Sequence, residues 1–190
     1  HLKTTYEARP ARVIIGDLDV MAKAPLHMIA AGAGDIIGKY VCLADWQIAH
    51  IINEEYICQE MIDLVRQSIQ KVVEYPPAAI KRDKTAIAAI MEGLVLSGIA
   101  MSYIGNSRPA SGSEHHMSHY WEMMFLLAGK KDPLHGTKVG VGTVSALRLY
   151  EMLKECQLSM VSLQEPHFQM AVWEKQILDA YGPAASGVLK

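Results

Sequence analysis

The chain is poor in cysteine, with three in 190 residues: Cys42, Cys58 and Cys156, far apart and odd in number. They form no Cys-x-x-Cys pair, which excludes a disulfide framework and a thiolate zinc knuckle and points to the reduced thiols of a cytoplasmic protein. Neither sign of charge dominates: 18 basic and 20 acidic side chains leave a net charge of −2, and no basic stripe is visible. Nothing therefore recommends nucleic acid as a partner. An unbroken apolar run of about 18 residues is lacking, as is a signal-peptide pattern, so no membrane partner is expected. No Gly-x-Gly-x-x-Gly segment occurs; Gly32-Ala33-Gly34 is short, follows no clear strand, and is rejected as a dinucleotide loop. There is also no His-Asp dipeptide, which weighs against a metal-dependent phosphohydrolase. Phe is scarce, at two, while Met reaches eleven, read as flexible core filler.

What the chain does have is histidine, eight in all, four of them between Ser107 and Thr143. His115 and His119 stand one helical turn apart, so their imidazoles leave the same face of a helix. His135 follows in a His-Gly pair that opens another helical pattern, and Asp35 lies upstream in GAGDIIGKY. A carboxylate with histidines from two helices can hold a divalent cation through three ligands and leave a position open for chemistry. The bland reading is that paired histidines arise by chance in a His-rich chain. Against it stands the apolar, Gly-rich setting, a poor one for solvated imidazoles.

The apolar spacing predicts a mostly helical chain. Arg12 to Asp17 reads as a short buried strand, and Met21 to Ala31 as a small-residue connection around Pro25. Helices are expected from Asp35 to about Ile52, from about Glu55 to Glu74 with Pro76-Pro77 as the stop, and from Asp83 or Thr85 to Met101. The half from Gly93 to Met101 is apolar all round and expected to be buried. Further helices run from Ser113 to Ala128, from His135 to about Glu155 and from Phe168 to Tyr181, with Leu158 to Pro166 a linker and the GPAASG tail expected to fray. The expected fold class is all-α: a bundle of about six helices with a short N-terminal strand.

Four segments carry a family resemblance: GAGDIIGKYVCLADW (Gly32 to Trp46), GLVLSGIAM (Gly93 to Met101), SRPASGSEHHMSHYWEM (Ser107 to Met123) and HGTKVGVGT (His135 to Thr143). They resemble the helical domain of the iron-containing alcohol dehydrogenase and dehydroquinate synthase superfamily, and the third most resembles its sn-glycerol-1-phosphate dehydrogenase branch. The resemblance implies residues 1–23 as the approach from a nucleotide-binding domain and 24–190 as a C-terminal metal-binding domain of a longer enzyme. It implies Asp35, His115 and His135 as ligands of Zn, Ni or Fe, with His116 the rival in the middle position. His119 falls near the reacting groups without being a ligand, as a support for the ligands, a substrate contact or a proton relay. Arg108, Lys39 and Lys138 are candidates for the phosphate of a small phosphorylated substrate, each weighed against an ordinary ion-paired charge. Glu114 and Glu122 flank the histidines, either as acceptors for imidazole N–H groups or as plain surface glutamates. The implied reaction interconverts dihydroxyacetone phosphate and glycerol 1-phosphate with NAD or NADP. The cofactor site would lie mostly outside this chain, the isolated chain would be inactive, and a homodimer fits the family. Competing readings are a glycerol dehydrogenase or a dehydroquinate synthase-like enzyme of the same fold, and a non-catalytic helical module.

Overall fold

The computed structural model describes residues 10–74, 79, 81–156 and 169–189. Within them the chain is helical: α1 (Leu18–Ala22), α2 (Leu26–Asn53), α3 (Gln59–Glu74), α4 (Lys84–Ile104), α5 (Ser113–Leu127), α6 (His135–Glu155), α7 (Met170–Tyr181), a 3-10 turn (Gly182–Ala184) and α8 (Ala185–Val188). The all-α class stands.

Local chemistry sets most of the helix ends. The carboxylate of Asp17 accepts from the N–H groups of Asp19 (2.9 Å) and Val20 (3.2 Å) at the start of α1. Asp83 does the same for Thr85 and Ala86 at the start of α4. Gly105 stops α4 at φ +77°, a left-handed conformation that glycine adopts without penalty.

Several expectations are corrected. Arg12 to Asp17 is not a strand: among the described residues no second strand lies beside it, and Val13 and Ile15 are 75% and 89% exposed. The stretch Met21 to Ala31 is no connection, because α2 begins at Leu26 with Pro25 as its N-cap. A proline fits there, since the first turn has no use for its missing N–H. α3 begins at Gln59 rather than Glu55, because Glu54 ends α2 in the left-handed region and Trp46 Nε1 donates to the carbonyl of Tyr56 (2.9 Å), pinning an extended link. Only one face of Gly93 to Met101 is buried, at Gly93, Ser97 and Ala100, while Ile99 is exposed. The tail does not fray: Ala184 and Ala185 are buried within the 3-10 turn and α8. Pro76-Pro77, Leu158 to Pro166 and Phe168 lie outside the described residues.

α2 is the central element, packed by α3 and α4 on one side and by α5 and α6 on the other. The first interface is conventional: Ile36, Trp46, Ile62, Val65, Ile69, Ile87 and Ile90 are buried together. Each such side chain contributes about 1.5–3 kcal/mol on burial. Both α2 and α4 are long and apolar enough to cross a membrane by length and composition, which the lack of an unbroken apolar run did not suggest. In this fold one face of α2, including Ile36, Val41, Leu43 and Trp46, is buried in protein, and its Asp35 and Lys39 pair with each other.

Candidate metal centre

The second interface of α2 uses glycine in place of large side chains. A Cβ on Gly136 would fall 2.0 Å from the carbonyl oxygen of Ala31, and one on Gly34 would fall 2.6 Å from that of Gly136. At Gly38 a Cβ would meet Val139 at 2.8 Å. The backbones of α2 and α6 thus touch at glycine notches one turn apart on each helix. Asp35 projects beside that crossing, and His135 opens α6 next to it. α5 closes from the third side, its N-terminal Gly112 lying so near α2 that a Cβ would sit 2.7 Å from Cα of Cys42.

The three helices bring Asp35, His115 and His135 together. Oδ1 of Asp35 lies 3.5 Å from Nε2 of His115 and 3.6 Å from Nε2 of His135. All three ligand atoms fall within 4.8 Å of one another. Those separations are long for hydrogen bonds. They suit three donors of one tetrahedral ion, which at metal–ligand distances of 2.0–2.2 Å stand about 3.3–3.6 Å apart. The donor set, one hard oxygen and two imidazole nitrogens, suits a Zn, Ni or Fe(II) ion. The residues present therefore fit a divalent cation.

The surroundings orient each donor. Lys39, one turn along α2 and buried, donates to Oδ2 of Asp35 at 2.9 Å, leaving Oδ1 for the histidines. Nδ1 of His115 lies 2.6 Å from Oε1 of Glu114. Burial works against protonation of His115, but Asp35 and Glu114 outweigh it and raise its pKa above the ordinary histidine value. For Asp35 burial favours the neutral acid, yet the neighbouring His115 ring and the Lys39 ammonium hold the carboxyl far below the usual range.

The remaining candidates fall in different places. His116 is exposed and lines a separate groove with Asp45, Arg108 and Ser113, so of the two neighbouring histidines it is His115 that faces Asp35. His119 packs against the triad, its ring 6.0 Å from that of His115 and stacked 5.6 Å from that of His135. Its Nδ1 is 3.3 Å from Oε2 of Glu122, and His119, Glu122 and His135 form a second group with ligand atoms within 4.8 Å. Lys138 is buried and paired with Asp132, with Glu122 at 3.8 Å. Arg108 makes a two-pronged ion pair with Glu55. Asp45 was missed by sequence reasoning. One oxygen accepts from the Ser113 N–H at 2.6 Å and the other from the Tyr150 hydroxyl, so a single side chain of α2 ties down α5 and α6. Its place in ADW held no signal, since it touches nothing nearby in sequence.

No family model matches the chain. Curated relatives do. It is 39% identical over 150 residues to the glycerol-1-phosphate dehydrogenase [NAD(P)+] of Halalkalibacterium halodurans, covering 79% of this chain and 38% of the relative. With the enzyme of that name from Geobacillus thermodenitrificans it shares 39% identity over 174 residues, 92% of this chain and 43% of the relative. The Hyperthermus butylicus enzyme of the same name is 40% identical over 137 residues, 72% of this chain and 38% of the relative. The chain thus spans about two fifths of the length of these relatives. Over that part of their length the chain is similar to the glycerol-1-phosphate dehydrogenases.

Proposed function

We propose that this chain is the metal-binding, substrate-activating part of an NAD(P)-linked sn-glycerol-1-phosphate dehydrogenase, which interconverts dihydroxyacetone phosphate and glycerol 1-phosphate. The observation that carries the reading is the placement of Asp35 Oδ1 at 3.5 and 3.6 Å from two imidazole Nε2 atoms. In this reading Asp35, His115 and His135 hold the cation. When bound, the ion supplies a Lewis acid that polarises the substrate carbonyl or acidifies the substrate hydroxyl.

The chain's own residues do the rest. Lys39 holds the second oxygen of Asp35 and so keeps the first aimed at the histidines. His119, packed against the triad with Glu122 on its Nδ1, is assigned the proton that moves between the substrate oxygen and solvent. Lys138, paired with Asp132, remains the proposed cation for the phosphate, since Lys39 is committed to Asp35. Arg108 is the weaker candidate, since both prongs of its guanidinium rest on Glu55. NAD or NADP, a homodimer and a cytoplasmic setting belong to the same reading. The setting is supported by three free cysteines, of which Cys42 is buried with its thiol pKa raised by burial and by Glu114. So does the division into an approach segment, 1–23, and a metal-binding domain, 24–190.

The test is calorimetric titration of the metal-stripped chain, purified without a His-tag, with Zn or Ni, beside Asp35→Ala. One equivalent should bind to the wild type, and Asp35→Ala should bind at least about 10-fold more weakly, as loss of one of three ligands requires. Absence of binding in the wild type, or equal binding in both, overturns the reading.

A further inference from the structure

Glu114 sits in the first turn of α5, where a glutamate ordinarily faces solvent and favours the positive end of the helix. Here it is 0% exposed. Glycines on two other helices make room for it. A Cβ on Gly38 of α2 would come within 3.3 Å of its Cγ, and one on Gly142 of α6 within 2.6 Å of its backbone oxygen. Oε1 accepts from the Gly112 N–H at 3.0 Å and lies 2.6 Å from Nδ1 of His115. Oε2 is buried with no hydrogen-bond partner.

A buried carboxylate with an unsatisfied oxygen is a poor choice for stability alone, because the lost hydration of that oxygen is not recovered. A close-packed apolar residue of the same volume would fill the space at lower cost. What the carboxylate supplies is a fixed acceptor on the side of the His115 ring opposite Asp35. We propose that Glu114 is a positioning residue for the cation site: it takes the Nδ1–H of His115 and thereby fixes the tautomer whose Nε2 lone pair points at Asp35 Oδ1 and the ion. The proposal rests on the metal-centre reading above. A carboxylate on the remote nitrogen holds the ring plane and raises the basicity of the ligating nitrogen. Because Glu114 is locked between α2 and α6, the ring is held in place before any ion arrives.

Glu114→Gln keeps an acceptor oxygen in place and removes the carboxylate charge. Competition of wild type and Glu114→Gln against a chromophoric chelator for Zn should show a 10–100-fold weaker affinity in the variant, the usual size of such an effect. Far-ultraviolet circular dichroism should be unchanged. Equal affinity in a folded Glu114→Gln overturns the proposal and leaves the site reading intact. No Zn binding in the wild type sinks both. If the variant does not fold, the wild type alone decides: nitrogen NMR of Zn-loaded protein should show His115 protonated at Nδ1 and metal-bound at Nε2. The opposite arrangement overturns the proposal.

Discussion

Two carboxylates meet one ring at His115, and this makes the site sensitive to pH. The folded-state pKa of His115 is raised above 6.5, so the stability contributed by its protonated ring is complete below that value and is lost as pH rises through the raised one. Asp35 runs the other way: its contribution is complete above 3.8 and is lost as pH falls toward its depressed value. The ion-free protein should gain most from this pair between those limits. A cation needs the neutral imidazole and must expel the proton. The rise in Tm on saturation with Zn should therefore be larger near about pH 8 than near about pH 5.5, read by differential scanning fluorimetry. An equal or smaller rise at the higher pH contradicts the placement of His115 as a ligand. At this scale the residues that the fold brings together were legible, because Asp35, His115 and His135 are chemically distinctive and His115 and His119 share a helix face. The choice between His115 and His116 was not. Neighbouring helix residues differ by about 100° in direction, and only the packing of α2 says which direction is inward. The burial of Glu114 was hidden for the same reason, since the notches that admit it are Gly38 and Gly142 on other helices.

At the scale of helices, the glycines decide how closely the ligands approach. The sequence pairs Gly34 with Gly38 and Gly136 with Gly140, each one turn apart, and the two pairs face each other across the α2–α6 crossing. Gly136→Ala places a methyl 2.0 Å from a backbone carbonyl that cannot rotate away. α6 must shift, at an overpacking cost of about 1–3 kcal/mol. His135 starts α6, so the shift carries it away from Asp35. Thermal melts and Zn titration should show a lowered Tm together with at least about 10-fold weaker Zn binding, a 1 kcal/mol-scale loss of ligand geometry. Gly98→Ala on α4, where a Cβ meets nothing within 4 Å, is the control and should be neutral or stabilising by about 0.5–1 kcal/mol. Unchanged Zn affinity in Gly136→Ala would separate the crossing from the site. The sequence reading placed the starts of α5 and α6 at Ser113 and His135, where the structure has them. It missed the first turns of α2, where Ala30 to Gly34 offer small residues instead of an apolar stripe. A helix contact built from backbone has no hydrophobic period to read.

Across the whole molecule, the described helices build one wall of the candidate cation site. The helices that carry the candidate ligands, α2, α5 and α6, rest on a core that α2 shares with α3 and α4, large enough to fold as one unit. One side of the site stays open: His135 is 43% and His119 29% exposed in their side chains. A second open surface is apolar, a groove along α4 lined by Pro10, Ile14, Met91, Leu94, Val95 and Tyr103. Neither surface offers a nucleotide loop, and Gly32 and Gly34, the glycines nearest to such a motif, are taken up in helix contacts with α4 and α6. Hydride transfer requires the nicotinamide carbon to be held about 3–3.5 Å from the substrate carbon, and that positioning supplies much of the rate. The chain of residues 1–190 should therefore fold and bind a divalent cation, yet neither bind NADH or NADPH measurably nor oxidise glycerol 1-phosphate. Calorimetry with reduced and oxidised cofactors, beside an activity assay with added Zn or Ni, checks this. Micromolar cofactor binding, or turnover above a metal-only blank, would mean that these helices carry a nicotinamide site of their own.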